Sequence, residues 1–126
     1  MPGYDSQRFD PPAPIAEIVV TNPINVKQVS NVSMLIDTGA VITLIPQTVI
    51  DKLDVEIIPD SSYELIGFGG NIQTFSAVRL ELLFCGKTFR GQFLPVSQEW
   101  GILGSNILNK LSLLYEGPAL EWNEQR

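Results

Sequence analysis

The chain has 126 residues, 14 acidic against 8 basic, and a formal net charge of −6. That length suits one domain with a sizeable core, and the acidic balance without any Lys/Arg cluster argues against a nucleic-acid partner. With no histidine and a single cysteine, Cys85, the sequence excludes an internal disulfide, zinc sites of the usual His/Cys type and Ser-His or Cys-His nucleophilic machinery, leaving carboxylates for acid-base work.

No apolar run approaches the roughly eighteen residues that span a bilayer. Met1-Pro2-Gly3-Tyr4-Asp5 lacks the basic and apolar regions of a signal peptide. The expectation is a soluble, cytoplasmic chain with no membrane partner. Residues 1–14, with Pro11-Pro12-Ala13-Pro14, have the composition of a flexible, extended arm, which leaves 15–126 as the domain.

Ile15 to Thr21 is rich in β-branched residues and predicts a strand that turns at Asn22-Pro23. Val32 to Ile36 predicts a second, buried strand running straight into Asp37-Thr38-Gly39-Ala40, where Gly39 permits a tight turn or a close backbone approach. Val41 to Ile45 follows as a short buried strand, and Pro46 suits the start of a brief helix over Gln47 to Leu53.

Val55 to Ile58, Tyr63 to Ile66 and Asn71 to Phe84 alternate as strands, punctuated by Pro59-Asp60 and by Gly67 to Gly70. The Gly67-Phe68-Gly69-Gly70 tip is not followed by a helix N-terminus, so a phosphate cradle is the poorer reading and a hairpin the better one. Cys85-Gly86-Lys87 predicts a turn into Thr88 to Leu94. Cys85 reads as a structural thiol near the core, since no base is available to activate it. Gly101 to Leu103 predicts a strand, Ser105 to Lys110 one or two helical turns with Ser105 as a candidate cap, and Leu111 to Tyr115 with Ala119 to Trp122 a closing hairpin. A small closed or sandwiched all-β fold with two short helices follows.

Three stretches share an order: the apolar run into Asp37-Thr38-Gly39-Ala40 with Thr43-Leu44-Ile45-Pro46, the glycine-tipped Leu65 to Ile72, and Trp100-Gly101-Ile102-Leu103-Gly104-Ser105-Asn106. Together they resemble the retroviral-type (retropepsin-like) aspartic proteases over roughly residues 15 to 122. The resemblance implies a small closed β barrel working as a two-fold homodimer. It implies an aspartic endopeptidase that needs neither metal nor cofactor and takes peptide or protein substrates.

Catalysis would fall to Asp37, with Thr38 and Gly39 completing the loop. In such enzymes two carboxylates in contact share one proton, so one acts as base and the other as acid on an attacking water. The only other near-match to the loop motif is Asp60-Ser61-Ser62, which lacks the glycine, so the second aspartate is expected from a second copy. The resemblance further implies a flap carrying Ile66, Gly67, Phe68 and Gly69 over the substrate. Ala40, Trp100 and Ile102 would lie along the substrate, although Trp100 also suits plain core.

Many viral relatives carry an acidic residue two positions after the loop glycine and an arginine in the helix motif. Val41 and Ser105 stand in those places, a paired loss that leaves no unpartnered charge and is closer to the bacterial and cellular members. The alternative on the same fold is a dimeric peptide-binding or scaffolding module without efficient proteolysis.

Overall fold

The computed structural model describes residues 3–66 and 68–125, with side chains described for all of these except 59–63, 65, 66, 68 and 73. The strands are β1 (Gly3–Asp5), β2 (Ala13–Thr21), β3 (Gln28–Ile36), β4 (Leu44–Pro46), β5 (Ile57–Ile66), β6 (Ile72–Phe84), β7 (Lys87–Val96), β8 (Gly101–Leu103), β9 (Leu113–Glu116) and β10 (Glu121–Glu124). The α-helices are α1 (Gln47–Leu53) and α2 (Ser105–Leu108). Among the described residues the protein is therefore mostly β.

The strands join in the order β5-β6-β7-β4-β8-β3-β2-β1-β10-β9, and β2 also pairs with β6. Pairing thus runs from β2 through β3, β8, β4, β7 and β6 back to β2. Two of these contacts are parallel, β3 with β8 and β4 with β7.

Period-two patterning decides which side of each strand is dry. Ala16, Ile18 and Val20 of β2 point inward with Val32, Met34 and Ile36 of β3, and Leu80, Leu82 and Phe84 of β6 join them. Each large side chain buried this way contributes about 1.5–3 kcal/mol relative to exposure. Helix α1 covers the core with Val49, Ile50 and Leu53. The carbonyl of Leu53 accepts Nδ2–H donors from Asn22 and Asn25, so the β2–β3 turn closes the C-terminal end of α1. The β6–β7 hairpin turns through Cys85 (φ 54°) and Gly86 (φ 71°), both left-handed as a two-residue turn on twisted strands requires.

Several expectations are corrected. Val41 and Ile42 are not in a strand, and β4 begins only at Leu44. Val41 is 83% exposed, because the carbonyls of Ala40 and Val41 accept hydrogen bonds from the start of α2 rather than from a neighbouring strand. The two strands expected around Pro59-Asp60 are one strand, β5, with a register irregularity between Ile57 and Ser62. As the sheet's edge strand, β5 tolerates a proline that lacks a donor. Gly104, not Ser105, occupies the cap position of α2.

The described part of 1–14 is built into the sheet. Strand β1 pairs with β2 and β10, and β2 already begins at Ala13. Extended, proline-rich chain is suited to joining a sheet margin as well as to a linker, which composition does not distinguish.

Candidate active site

Strand β3 carries the chain out of the core and ends at Ile36, so Asp37 is the first residue beyond it. Its backbone N–H still donates to the Leu103 carbonyl at 3.1 Å, which keeps Asp37 on the edge of β8. Asp37 is half-buried as a residue, and its Oδ1 accepts the Gly39 N–H at 2.9 Å. Ala40 N–H donates to the Asp37 carbonyl at 3.2 Å, closing the loop. Thr38 and Gly39 are exposed.

The rest of the loop is tied to the start of α2. Ser105 N–H donates to Ala40 O at 2.8 Å and Asn106 N–H to Val41 O at 3.2 Å. Ser105 Oγ–H donates to Thr38 O at 3.3 Å. Thr43, fully buried, donates through Oγ1 to Asn106 Oδ1 at 2.7 Å and accepts the Gly104 N–H at 3.0 Å. The approach is too close for a side chain at Gly104, where a Cβ would lie 2.6 Å from Ile42 O and 2.9 Å from Ala40 O. Glycine in the β8–α2 connection is thus a packing requirement of the aspartate loop.

The register of the three central strands places Leu35 beside Ile102 and Ile102 beside Leu44. Their neighbours Met34, Ile36, Leu103 and Ile45 are buried, while Leu35, Ile102 and Leu44 are half-buried on the opposite face. Asp37, two residues after Leu35, falls on that same face by strand alternation. A carboxylate therefore borders a half-exposed apolar shelf.

Of the expected site residues, Asp37, Thr38, Gly39, Ala40 and Ile102 lie together on joined elements. Leu35 and Leu44 belong to the shelf and were not singled out in the sequence. The alternation of Leu35 with Asp37 was the available signal for the first. Nothing in the sequence pairs position 44 with 102.

Trp100, immediately before β8, is half-buried. Its ring meets Phe9 edge-on, with centroids 4.8 Å apart, and the Arg8 guanidinium lies 5.8 Å from its centroid. Arg8 also pairs with Asp5 at 2.6 Å and with Glu99 at 3.4 Å. The backbone N–H of Arg8, followed by its guanidinium, holds the Asp5 carboxyl below its ordinary value.

The glycine-tipped element is a β5–β6 hairpin whose last pair is Ile66 with Ile72, with Gly69 (φ 87°) and Gly70 (φ 79°) in left-handed conformations that favour glycine. Gly67 lies outside the described residues, as do the side chains of Ile66 and Phe68. Among the described residues, no group of three or more His, Cys, Asp or Glu side chains is placed to hold a metal. No described helix is long and apolar enough to cross a membrane.

A family model described as aspartyl protease matches residues 22–107, more than half of the chain, from the β2–β3 turn into α2. The chain belongs to the aspartyl protease family. It is an aspartic endopeptidase by that membership. Its fold is similar to that of EIAV protease, a retroviral enzyme solved in complex with the inhibitor HBY-793, at a TM-score of 0.60 and 19% identity. The match covers 78% of this chain and 86% of that one. No curated protein matches the chain. The aspartyl protease thus has the retropepsin-like fold.

Proposed function

We propose that this aspartyl protease works as a homodimer in which Asp37 of each copy supplies one of two catalytic carboxylates. The observation that carries the reading is Asp37 itself. It is a half-buried residue whose carboxylate, at the exit of a core strand, is oriented by the Gly39 N–H, on the same strand face as the Leu35, Ile102 and Leu44 shelf. Exposed Thr38, Gly39 and Val41 around it offer the surface on which a second loop would pack. The sequence supplies no second loop of this type, so a two-fold axis between loops is the economical completion.

In this arrangement the carboxylate pair holds a water between them. One carboxylate takes its proton as the oxygen attacks the scissile amide carbonyl, and the other donates to the departing nitrogen. No covalent intermediate forms. Thr38 steadies the paired loops, and small Gly39 and Ala40 let the substrate backbone lie close. The β5–β6 hairpin acts as the flap, with Ile66 to Gly69 over the substrate, excluding water on closure. The half-exposed apolar shelf favours extended, largely apolar peptide segments, with Ile102 and Trp100 contributing to its subsites. The β2–β6 pairing supports a closed barrel beneath this site.

The test is cleavage of a diverse peptide library from acidic to neutral pH by the wild type and by Asp37→Asn at matched concentration. Cleavage at defined apolar sites by the wild type alone, with a bell-shaped pH profile, is expected. Peptide binding without cleavage, unchanged in Asp37→Asn, would replace this reading with a binding module.

A further inference from the structure

The segment before β2 is folded onto Trp100 by contacts of its own. The Asp5 carboxylate accepts the N–H groups of Gln7 at 2.8 Å and Arg8 at 3.0 Å, which turns the chain back on itself. The turn presents Arg8 to Glu99 and Phe9 to the ring of Trp100. One flank of Trp100 is therefore occupied by the protein's own N-terminal segment.

Trp100 lies two residues before Ile102, a strand separation of about 7 Å at roughly 3.3 Å per residue. That spacing equals the distance between side chains on the same face of an extended peptide. A peptide lying along β8 with one side chain over Leu35 and Ile102 brings another of its side chains to the Trp100 end.

We propose, on the reading that the Leu35–Ile102 shelf receives substrate, that Phe9 is a specificity-determining residue. Its ring fills the flank of Trp100, limits the size of the substrate side chain admitted there and favours aliphatic over aromatic groups. Asp5 and Arg8 are positioning residues that hold Phe9 in place. Removing the Phe9 ring leaves an aromatic-sized space against the Trp100 ring, where a substrate indole or phenyl group makes the edge-to-face contact that Phe9 makes now.

The experiment compares kcat/KM for peptide pairs that differ only by Leu or Trp, placed in turn at each position near the scissile bond, in wild type and Phe9→Ala. Phe9→Ala is expected to raise the Trp/Leu ratio on the order of fivefold at one position, and to leave the other positions unchanged. Phe9→Trp is expected to lower the ratio at that same position. A ratio is taken within one preparation, so loss of folded or dimeric protein cancels. Ratios equal in wild type and Phe9→Ala at every position would overturn the proposal. Whether the wild type cleaves any of the peptides tests the protease reading separately. The same ratio measured as peptide affinity for Asp37→Asn and for the Phe9→Ala, Asp37→Asn double variant reads the Phe9 effect without turnover, and equal ratios there would overturn it too.

Discussion

The buried Thr43 hydroxyl joins Asn106 to the backbone of Gly104, donating to Asn106 Oδ1 at 2.7 Å and accepting the Gly104 N–H at 3.0 Å. One side chain thereby fixes the far end of the Asp37 loop to the start of α2. Thr43→Val keeps the shape but leaves the buried Gly104 N–H without its acceptor, at a cost of about 1–3 kcal/mol. Thr43→Ser keeps the hydroxyl and loses one methyl, worth about 0.8 kcal/mol. Urea unfolding should rank wild type above Ser and Ser above Val. A Val variant as stable as Ser would show that the hydroxyl contributes little.

Gly104→Ala places a Cβ against the carbonyls of Ile42 and Ala40, which are backbone and yield only if the loop moves. Overpacking of this kind costs about 1–3 kcal/mol. Because the displaced backbone belongs to the loop that Asp37 begins, kcat/KM should fall further than the loss of folded protein explains. Gly117→Ala is the control, since a Cβ there meets nothing within 4 Å and its φ lies outside the left-handed region. Equal peptidase activity in the two variants would count against a Gly104 role in placing the loop.

The pH response of the N-terminal segment follows from Asp5. Its carboxyl is held below the ordinary value of 3.8, first by the Arg8 N–H and then by the Arg8 guanidinium. A depressed value means that the charged form is favoured in the folded segment. Its stabilising effect is complete above the unfolded value, near pH 4, and is lost as pH falls through the lower folded value. Tryptophan fluorescence should therefore report release of Phe9 and Arg8 from Trp100 only below about pH 4. Asp5→Asn should lack that acid transition. The same transition in both proteins would remove Asp5 as its source.

The sequence displays the parts of the fold whose cause is local. Helix α1 occupies Gln47–Leu53 as expected, because a proline start and an apolar face act within a few residues. The Cys85-Gly86 turn and the long β6 strand were legible for the same reason. Asp37 was legible as a carboxylate at the exit of a buried strand.

What stayed hidden depends on distant partners. Val41 continues an apolar run in sequence, yet it is exposed because Ser105 and Asn106 claim the carbonyls beside it. The segment around Arg8 has the composition of a free arm, but Arg8 reaches Glu99 across 91 positions and Phe9 meets Trp100. The Leu35–Ile102–Leu44 row exists only once β8 is set parallel to β3 and antiparallel to β4. No periodicity within a single segment carries that register.

The most direct measurement mixes wild-type chain with increasing Asp37→Asn chain at constant total concentration, under conditions that let subunits exchange, and follows peptide hydrolysis. If each site needs Asp37 from two copies, activity falls with the square of the wild-type fraction, to about a quarter at equal parts under random pairing. A linear fall to about a half would show that one copy of Asp37 suffices and would contradict the shared-site account.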